Sequence, residues 1–277
     1  MQFVKCIICI SAFSFAYVAE AEQDIDKLAQ DFANPNTPLT SLKFKFQYRE
    51  FEGDLDNANN QSSTKVLVQP TLPFTLDNNY KLWVRPGINL VLDTPSYDAS
   101  SQSFEAHEGI GDSSLDIQYG TITESGFLWS VGGSSIIPTA SEDELGLDTW
   151  TLGPGFQLGQ VTKSTIVGAF VNRQWDVESD NNTDYDVTTL QVFGVYLPGG
   201  GIDYAFSPIM DYNHETEDWT IPLNFTMGKT TVINSRPWKF SVGFNYYVEK
   251  PDDFGPDFMI EFTVAPVVVN KFAEWFL

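Results

Sequence analysis

The residues from Pro237 to Val269 constrain the chain most, because they read as two long strands with opposed faces. On the first, Trp238, Phe240, Val242, Phe244 and Tyr246 fall on one side, and Lys239, Ser241, Gly243 and Asn245 on the other. On the second, Phe258, Ile260, Phe262, Val264, Pro266 and Val268 share a side opposite Met259, Glu261, Thr263 and Ala265. Between them runs the acidic loop Glu249 to Asp257, whose Pro251, Gly255 and Pro256 no strand continues through. Side chains alternate across a strand, so each strand has one apolar and one mixed surface. Strands of about ten or more residues exceed the roughly five or six of a soluble sheet and match the roughly nine to eleven that cross a bilayer.

The start of the chain narrows the alternatives. Met1 to Lys5 carries a positive charge, an apolar core runs from about Cys6 to Val18, and Ala19-Glu20-Ala21 sets small residues two apart. That is the pattern of a secretory signal peptide over 1–21, and its core is well short of the roughly 18–20 apolar residues that a spanning helix needs. Both cysteines, Cys6 and Cys9, lie inside it, so the mature chain has neither disulfides nor thiol chemistry. No other segment has a continuous apolar run of spanning length. The net charge of -22 argues against a nucleic-acid partner, which needs clustered Lys and Arg. An exported chain with dispersed apolar residues and 14% aromatics leaves a secreted β-sandwich or a closed barrel in an outer membrane.

Glu22 to Phe32 reads as a short helix, with Ile25, Leu28, Ala29 and Phe32 on one side, ended by Asn34-Pro35-Asn36-Thr37-Pro38. The cleanest alternation follows: Leu42, Phe44, Phe46 and Tyr48 against Lys43, Lys45, Gln47 and Arg49. Val66 to Leu76 and Tyr80 to Leu90 continue it, the second with Lys81, Trp83, Arg85 and Asn89 opposite its apolar side. Beyond a long loop, Asp93 to Gly109, further strands are expected around Leu115, Ile117 and Tyr119, then from Phe127, Trp150, Val167, Tyr185, Ile202 and Trp219. With the closing pair this makes about twelve strands. Connections after even-numbered strands are tight, and those after odd-numbered strands are generally longer or more acidic. An outer-membrane barrel has that asymmetry and an even strand number.

Trp83, Trp129, Trp150, Trp175, Trp219 and Trp238 fall near strand ends, where an interfacial aromatic girdle would place them. A sandwich explains neither the strand length nor the alternating turns. The expected fold is therefore all-β, a single antiparallel transmembrane β-barrel over 39–269, with 22–38 as an N-terminal helical segment and candidate plug and 270–277 as a tail. Pro70, Pro73, Pro86, Pro138, Pro154, Pro208 and Pro222 fall inside proposed strands. A closed barrel has no free edge for them, so they demand bulges or strand ends.

Short motifs also recur in order along the chain. They are Leu28-Ala29-Gln30 leading to Asn34-Pro35, Gln69-Pro70 with Pro73-Phe74, Gly109-Ile110-Gly111-Asp112, and Ile137-Pro138-Thr139-Ala140. Then come Leu152-Gly153-Pro154-Gly155, Val171-Asn172-Arg173-Gln174-Trp175, Ser207-Pro208-Ile209, Trp219-Thr220-Ile221-Pro222-Leu223, and Lys250-Pro251-Asp252-Asp253 with Gly255-Pro256-Asp257. In that order they resemble a family of bacterial outer-membrane proteins related to transporters of phenol meta-pathway degradation, whose marine members are often mislabelled neuromedin U. The resemblance implies a Gram-negative outer-membrane barrel that passes small solutes, small hydrophobic or aromatic compounds among them. It brings no catalytic residues and no cofactor.

The chain itself offers little chemistry of bond making. His107 and His214 are the two histidines, both in proposed outer loops and far apart in sequence. No nucleophile elbow, zinc-protease helix motif or complete dinucleotide fingerprint is present, so no enzyme is expected. Asp54 and Asp56 open like a calcium loop, but Asn59 stands where glycine is needed and Lys65 where Glu should close it. The acidic clusters Glu142-Asp143-Glu144 and Asp252-Asp253 read as solvated loops, with loose divalent-cation binding as the other reading.

The functional candidates are Lys43, Lys45, Arg49, Lys81 and Arg85, facing Asp116, Glu261 and Asp203. Either they line one sector of a pore and set a transverse field, or they form internal salt bridges that fill a closed barrel. The leading expectation is an outer-membrane channel for small solutes. The alternative is a closed structural barrel whose loops meet outer-membrane lipid and lipopolysaccharide.

Overall fold

A computed structural model describes residues 25–76, 79–177 and 184–275. The signal-peptide reading of 1–21 and most of the acidic loop from Glu178 to Asp184 lie outside the described residues. Helix α1 spans Ile25–Ala33 and is followed by β1 Ser41–Glu52, β2 Ser62–Thr75, β3 Lys81–Asp98, β4 Ser103–Ile110 and β5 Ser113–Ile122. Next come β6 Phe127–Ile137, β7 Thr151–Val161, β8 Thr165–Asp176, β9 Asp186–Gly199, β10 Ile202–Phe206 and β11 Ile209–Asn213. The last three are β12 Trp219–Ile233, β13 Arg236–Glu249 and β14 Gly255–Pro266.

β4 and β5 both pair with β3 and together make one strand of the wall, as β10 and β11 do between β9 and β12. The wall is thus a closed antiparallel barrel of twelve strands with one short N-terminal helix. β1 closes it against β14, in register from Phe44 opposite Val264 to Glu50 opposite Phe258, and after a register shift Glu52 lies opposite Gly255. The period-two alternation decides which residues face out. Leu152, Tyr196 and Leu223 are each 53% exposed and Phe225 56%, within an apolar outer surface that suits lipid. Arg in place of Phe225, near the middle of β12, is expected to lower unfolding stability in bilayers by about 2–4 kcal/mol. Urea titration of the refolded protein in liposomes measures it.

Trp150, Trp175 and Trp219 stand 42%, 43% and 40% exposed beside the longer connections. Tyr80, Tyr119 and Trp129 cluster near the tight turns, with Tyr80 stacked on Tyr119 at 5.4 Å. Trp83 corrects the girdle reading: it points inward, is 1% exposed, and donates its indole N–H to the Thr37 carbonyl at 2.8 Å.

Six of the seven prolines sit at strand ends or where a ladder breaks. Ile221 and Pro222 mark a register shift, Pro208 lies between β10 and β11, and Pro138 follows β6. Pro70 and Pro86 face one another across an interruption of the β2–β3 ladder, which pairs Val68 with Ile88 and resumes at Leu72 opposite Val84. Pro154 falls in the corresponding gap of β7 against β8. Pro73 keeps register opposite Trp83.

The stretch Asp93 to Gly109 is a β-hairpin rather than a long loop, with Asp98 opposite Ser103 at its tip. Its polar sequence hides the cause, a set of ring contacts from Tyr97 to Phe104 (5.1 Å), Phe104 to Phe254 (4.7 Å) and Phe254 to Phe51 (4.6 Å).

α1 lies inside the tight-turn end. Ala29, 1% exposed, packs among the inward side chains Leu128, Ile166, Val195 and Leu197. Backbone groups of the wall then fasten the segment: Gly201 N–H donates to Asp26 Oδ1 (2.8 Å), and Gln30 and Asn36 donate to the carbonyls of Thr162 (2.5 Å) and Trp129 (3.2 Å). Gly201 has φ +73°, and a Cβ there would lie 2.6 Å from the Thr230 carbonyl, so only glycine fits between helix and turn.

Candidate functional site

The barrel encloses a cavity of about 760 Å³, floored by Phe32, Ala33, Asn34, Pro35 and Thr37. Its walls follow from strand parity. Once Phe44, Phe46 and Tyr48 face out, Lys43, Lys45, Gln47 and Arg49 of β1 must face in. The same rule sends Arg85 of β3, Asp116 of β5 and Glu261 of β14 to the cavity. Lys81, named with them from sequence, opens β3 at the tight-turn end and is not among the residues around the cavity.

Three ion pairs link strands of the wall, two between neighbours and one across an intervening strand. Arg85 sits in register opposite Asp116, with Nη1 2.8 Å from Oδ2, and Gln118 and Ser134 donate to Oδ1 of the same carboxylate. Arg85 also donates through Nη2 to the Pro35 carbonyl, which ties the plug segment to the wall. Glu261 faces Gln47, accepts its amide at 2.6 Å and the Thr263 hydroxyl at 3.1 Å, and lies 3.6 Å from Lys45 Nζ. Lys239 of β13 reaches over β12 to Asp203 of β10 at 2.9 Å. Gly228 lies beneath that pair; a Cβ there would come within 2.3 Å of Asp203 Oδ2, so the missing side chain clears the path.

Lys43, Arg49 and Lys65 differ: among the described residues none has a carboxylate within ion-pair distance. Arg49 lies over the Tyr247 ring at 5.9 Å and donates weakly to Met259 Sδ at 3.6 Å, while its Nε has no partner. The cavity thus carries six cations (these three with Lys45, Arg85 and Lys239) against four carboxylates (Asp116, Asp203, Asp211 and Glu261). A chain of net charge -22 turns a basic surface inward.

Lys65 and Lys239 were not singled out from the sequence. Lys239 does stand on the polar side of its strand, so parity marks it. Lys65 adjoins the polar loop after β1 and reads as part of that loop. His107 sits against Glu142, with Nδ1 3.2 Å from Oε2, and His214 Nε2 is 2.8 Å from the Thr188 hydroxyl.

A second recess of about 470 Å³ meets the cavity along Ile209, Asp211 and Thr220. Tyr185 and Asp218 stand on it, just outside the strands. Burial, with the Asp211 charge nearby, pushes the Tyr185 phenol up to about 12, so it stays a neutral donor at the mouth.

The barrel fold is similar to that of known outer-membrane channels. An outer membrane channel from Pseudomonas putida F1 superimposes with a TM-score of 0.63 at 13% identity, covering 91% of this chain and 100% of that one. The NanC porin follows with a TM-score of 0.52 at 10% identity, covering 83% and 100%. No protein-family model matches the chain. No curated protein matches it in sequence either. At these identities the likeness is one of fold, and none of it carries the phenol meta-pathway link.

Proposed function

We propose that the chain is a channel in the outer membrane of a Gram-negative cell, through which small solutes diffuse, organic anions ahead of cations. The observation that carries this reading is the surplus of basic over acidic side chains around the cavity inside the barrel. Charge fixed on a narrow, low-dielectric wall acts more strongly than on an open surface. Lys43, Lys45, Arg49, Arg85, Asp116 and Glu261 serve as pore-lining residues, joined by Lys65 and Lys239, while Lys81 acts at the tight-turn mouth. Residues 1–21 are the export signal, 22–38 the plug, 39–269 the wall and 270–277 a tail.

The ordered motifs shared with transporters of phenol meta-pathway degradation support small aromatic or hydrophobic solutes. An aromatic ring bearing a carboxylate suits both Phe170, Phe193 and Tyr247 and the cations beside them. No catalytic residue enters this reading.

A second reading, a closed structural barrel meeting lipopolysaccharide through its loops, draws support from the N-terminal segment at one end of the cavity. Liposome swelling separates the two. Refolded protein should admit benzoate faster than benzylammonium by about tenfold, equivalent to about 1.4 kcal/mol. Swelling no faster than that of protein-free liposomes selects the closed barrel.

A further inference from the structure

We propose that His107, Glu142 and Glu144 form a divalent transition-metal site on the long-loop rim, taking Zn²⁺ in preference to Ca²⁺. His107 lies on β4, and the two glutamates flank Asp143 in the 3₁₀ turn Asp143–Leu145 of the connection between β6 and β7. One ligand atom from each of the three residues lies within 4.8 Å of the others. Nδ1 of His107 is 3.2 Å from Glu142 Oε2 and 3.9 Å from Glu144 Oε2. Ligand atoms bound at about 2.0–2.1 Å around a tetrahedral ion stand roughly 3.3–3.5 Å apart. The first separation is already at that value, and the second needs a shift of about half an ångström by an exposed glutamate.

The supports of these ligands are held independently. Asp112 accepts backbone N–H groups from Thr139 and Ala140 on one carboxylate oxygen and from Leu147 on the other. Ser141 N–H donates to the Ile110 carbonyl, and the Ser141 hydroxyl oxygen accepts from Ile110 N–H. The glutamate turn and the histidine strand are therefore stapled together on both sides of the cluster, so the ordering cost of a site is largely met before any ion arrives.

Hydrogen bonding within the cluster does not complete it. The single ring nitrogen Nδ1 of His107 faces both carboxylates, and only that of Glu142 lies within hydrogen-bond distance of it. A divalent ion balances both. His107 is the sheltered ligand, its side chain 16% exposed, whereas Glu142 and Glu144 are 50% and 45% exposed and leave room for water as a fourth ligand. One imidazole with two carboxylates suits zinc or its neighbours, while an all-oxygen site would suit calcium.

Isothermal titration of the untagged, refolded barrel in detergent tests the site, with ZnCl₂ and CaCl₂ as probes. The expected result is one Zn²⁺ per chain, with affinity at least about tenfold above that for Ca²⁺. His107→Gln should remove that preference, and Glu142→Gln with Glu144→Gln should weaken both ions. Heat-modifiable gel migration confirms that each variant still forms the barrel. Zinc affinity unchanged in His107→Gln, or calcium bound as tightly as zinc by the unaltered protein, overturns the proposal.

Discussion

Replacing Ala29 with Asp should raise single-channel conductance in planar bilayers several-fold while the barrel stays folded. Ala29 is 1% exposed and sits among Leu128, Ile166, Val195 and Leu197. A carboxylate there has no partner within that set, and burying an unpaired charge costs several kcal/mol. The strain can be relieved at the helix or at the wall, and the helix is by far the weaker. Nine residues are too few to hold a helix in water without packing, so α1 depends on the contacts that the substitution removes. The wall is held by twelve strands with every neighbour paired. The helix leaves, the floor formed by Phe32 to Thr37 goes with it, and the cavity opens toward the tight turns. Conductance equal to that of the unaltered protein would falsify the assignment of this segment as the plug.

The second large effect is on charge selectivity. Gln at Lys43, Arg49 and Lys65 together removes the cations that lack a carboxylate partner and leaves the three ion pairs intact. The cavity then holds three cations against four carboxylates, with Asp211 as the unbalanced charge. Under a KCl gradient the unaltered channel should show a reversal potential of anion preference, and the triple variant one of the opposite sign. Each unit charge contributes on the order of 1 kcal/mol at contact distance in water and more on a low-dielectric wall. Three of them should shift the anion-to-cation permeability ratio by at least about tenfold. A variant in which Lys239 alone becomes Gln is the contrast, since it strands Asp203 in a nearly closed pocket and should act chiefly on stability. If the triple variant keeps the anion preference, the fixed charge that sets selectivity lies elsewhere.

The wall was largely legible in the sequence because its code is local. Lys43 to Arg49 alternate with Leu42 to Tyr48, and the inward set could be written down from parity alone, Arg85 and Asp116 included. What was hidden depends on partners far along the chain. The bridge from Lys239 to Asp203 exists because β12 brings Gly228 beneath it, and no feature near either residue reveals that register. Trp83 shared the inward parity of Arg85, yet its place near a strand end resembled an interfacial tryptophan. The Thr37 carbonyl that receives it belongs to a segment folded back inside the barrel. The hairpin over 93–109 was missed for a related reason, since Phe254, the ring that anchors it, comes from the last loop.

The seam between the first and last strands sets an order of assembly. Gln47 and Glu261, hydrogen-bonded across it, are 214 positions apart, so the tube cannot shut before its final hairpin arrives. Until then β1 and β14 each present a bare row of backbone donors and acceptors to whatever lies nearby. The amino-terminal segment has to reach the interior while that gap stands open, or thread in afterwards past the backbone groups of Gly201 and Trp129 that hold it. A cell that exports this polypeptide therefore has to keep two sticky margins apart over nearly its entire length, and release them only once the occupant is seated.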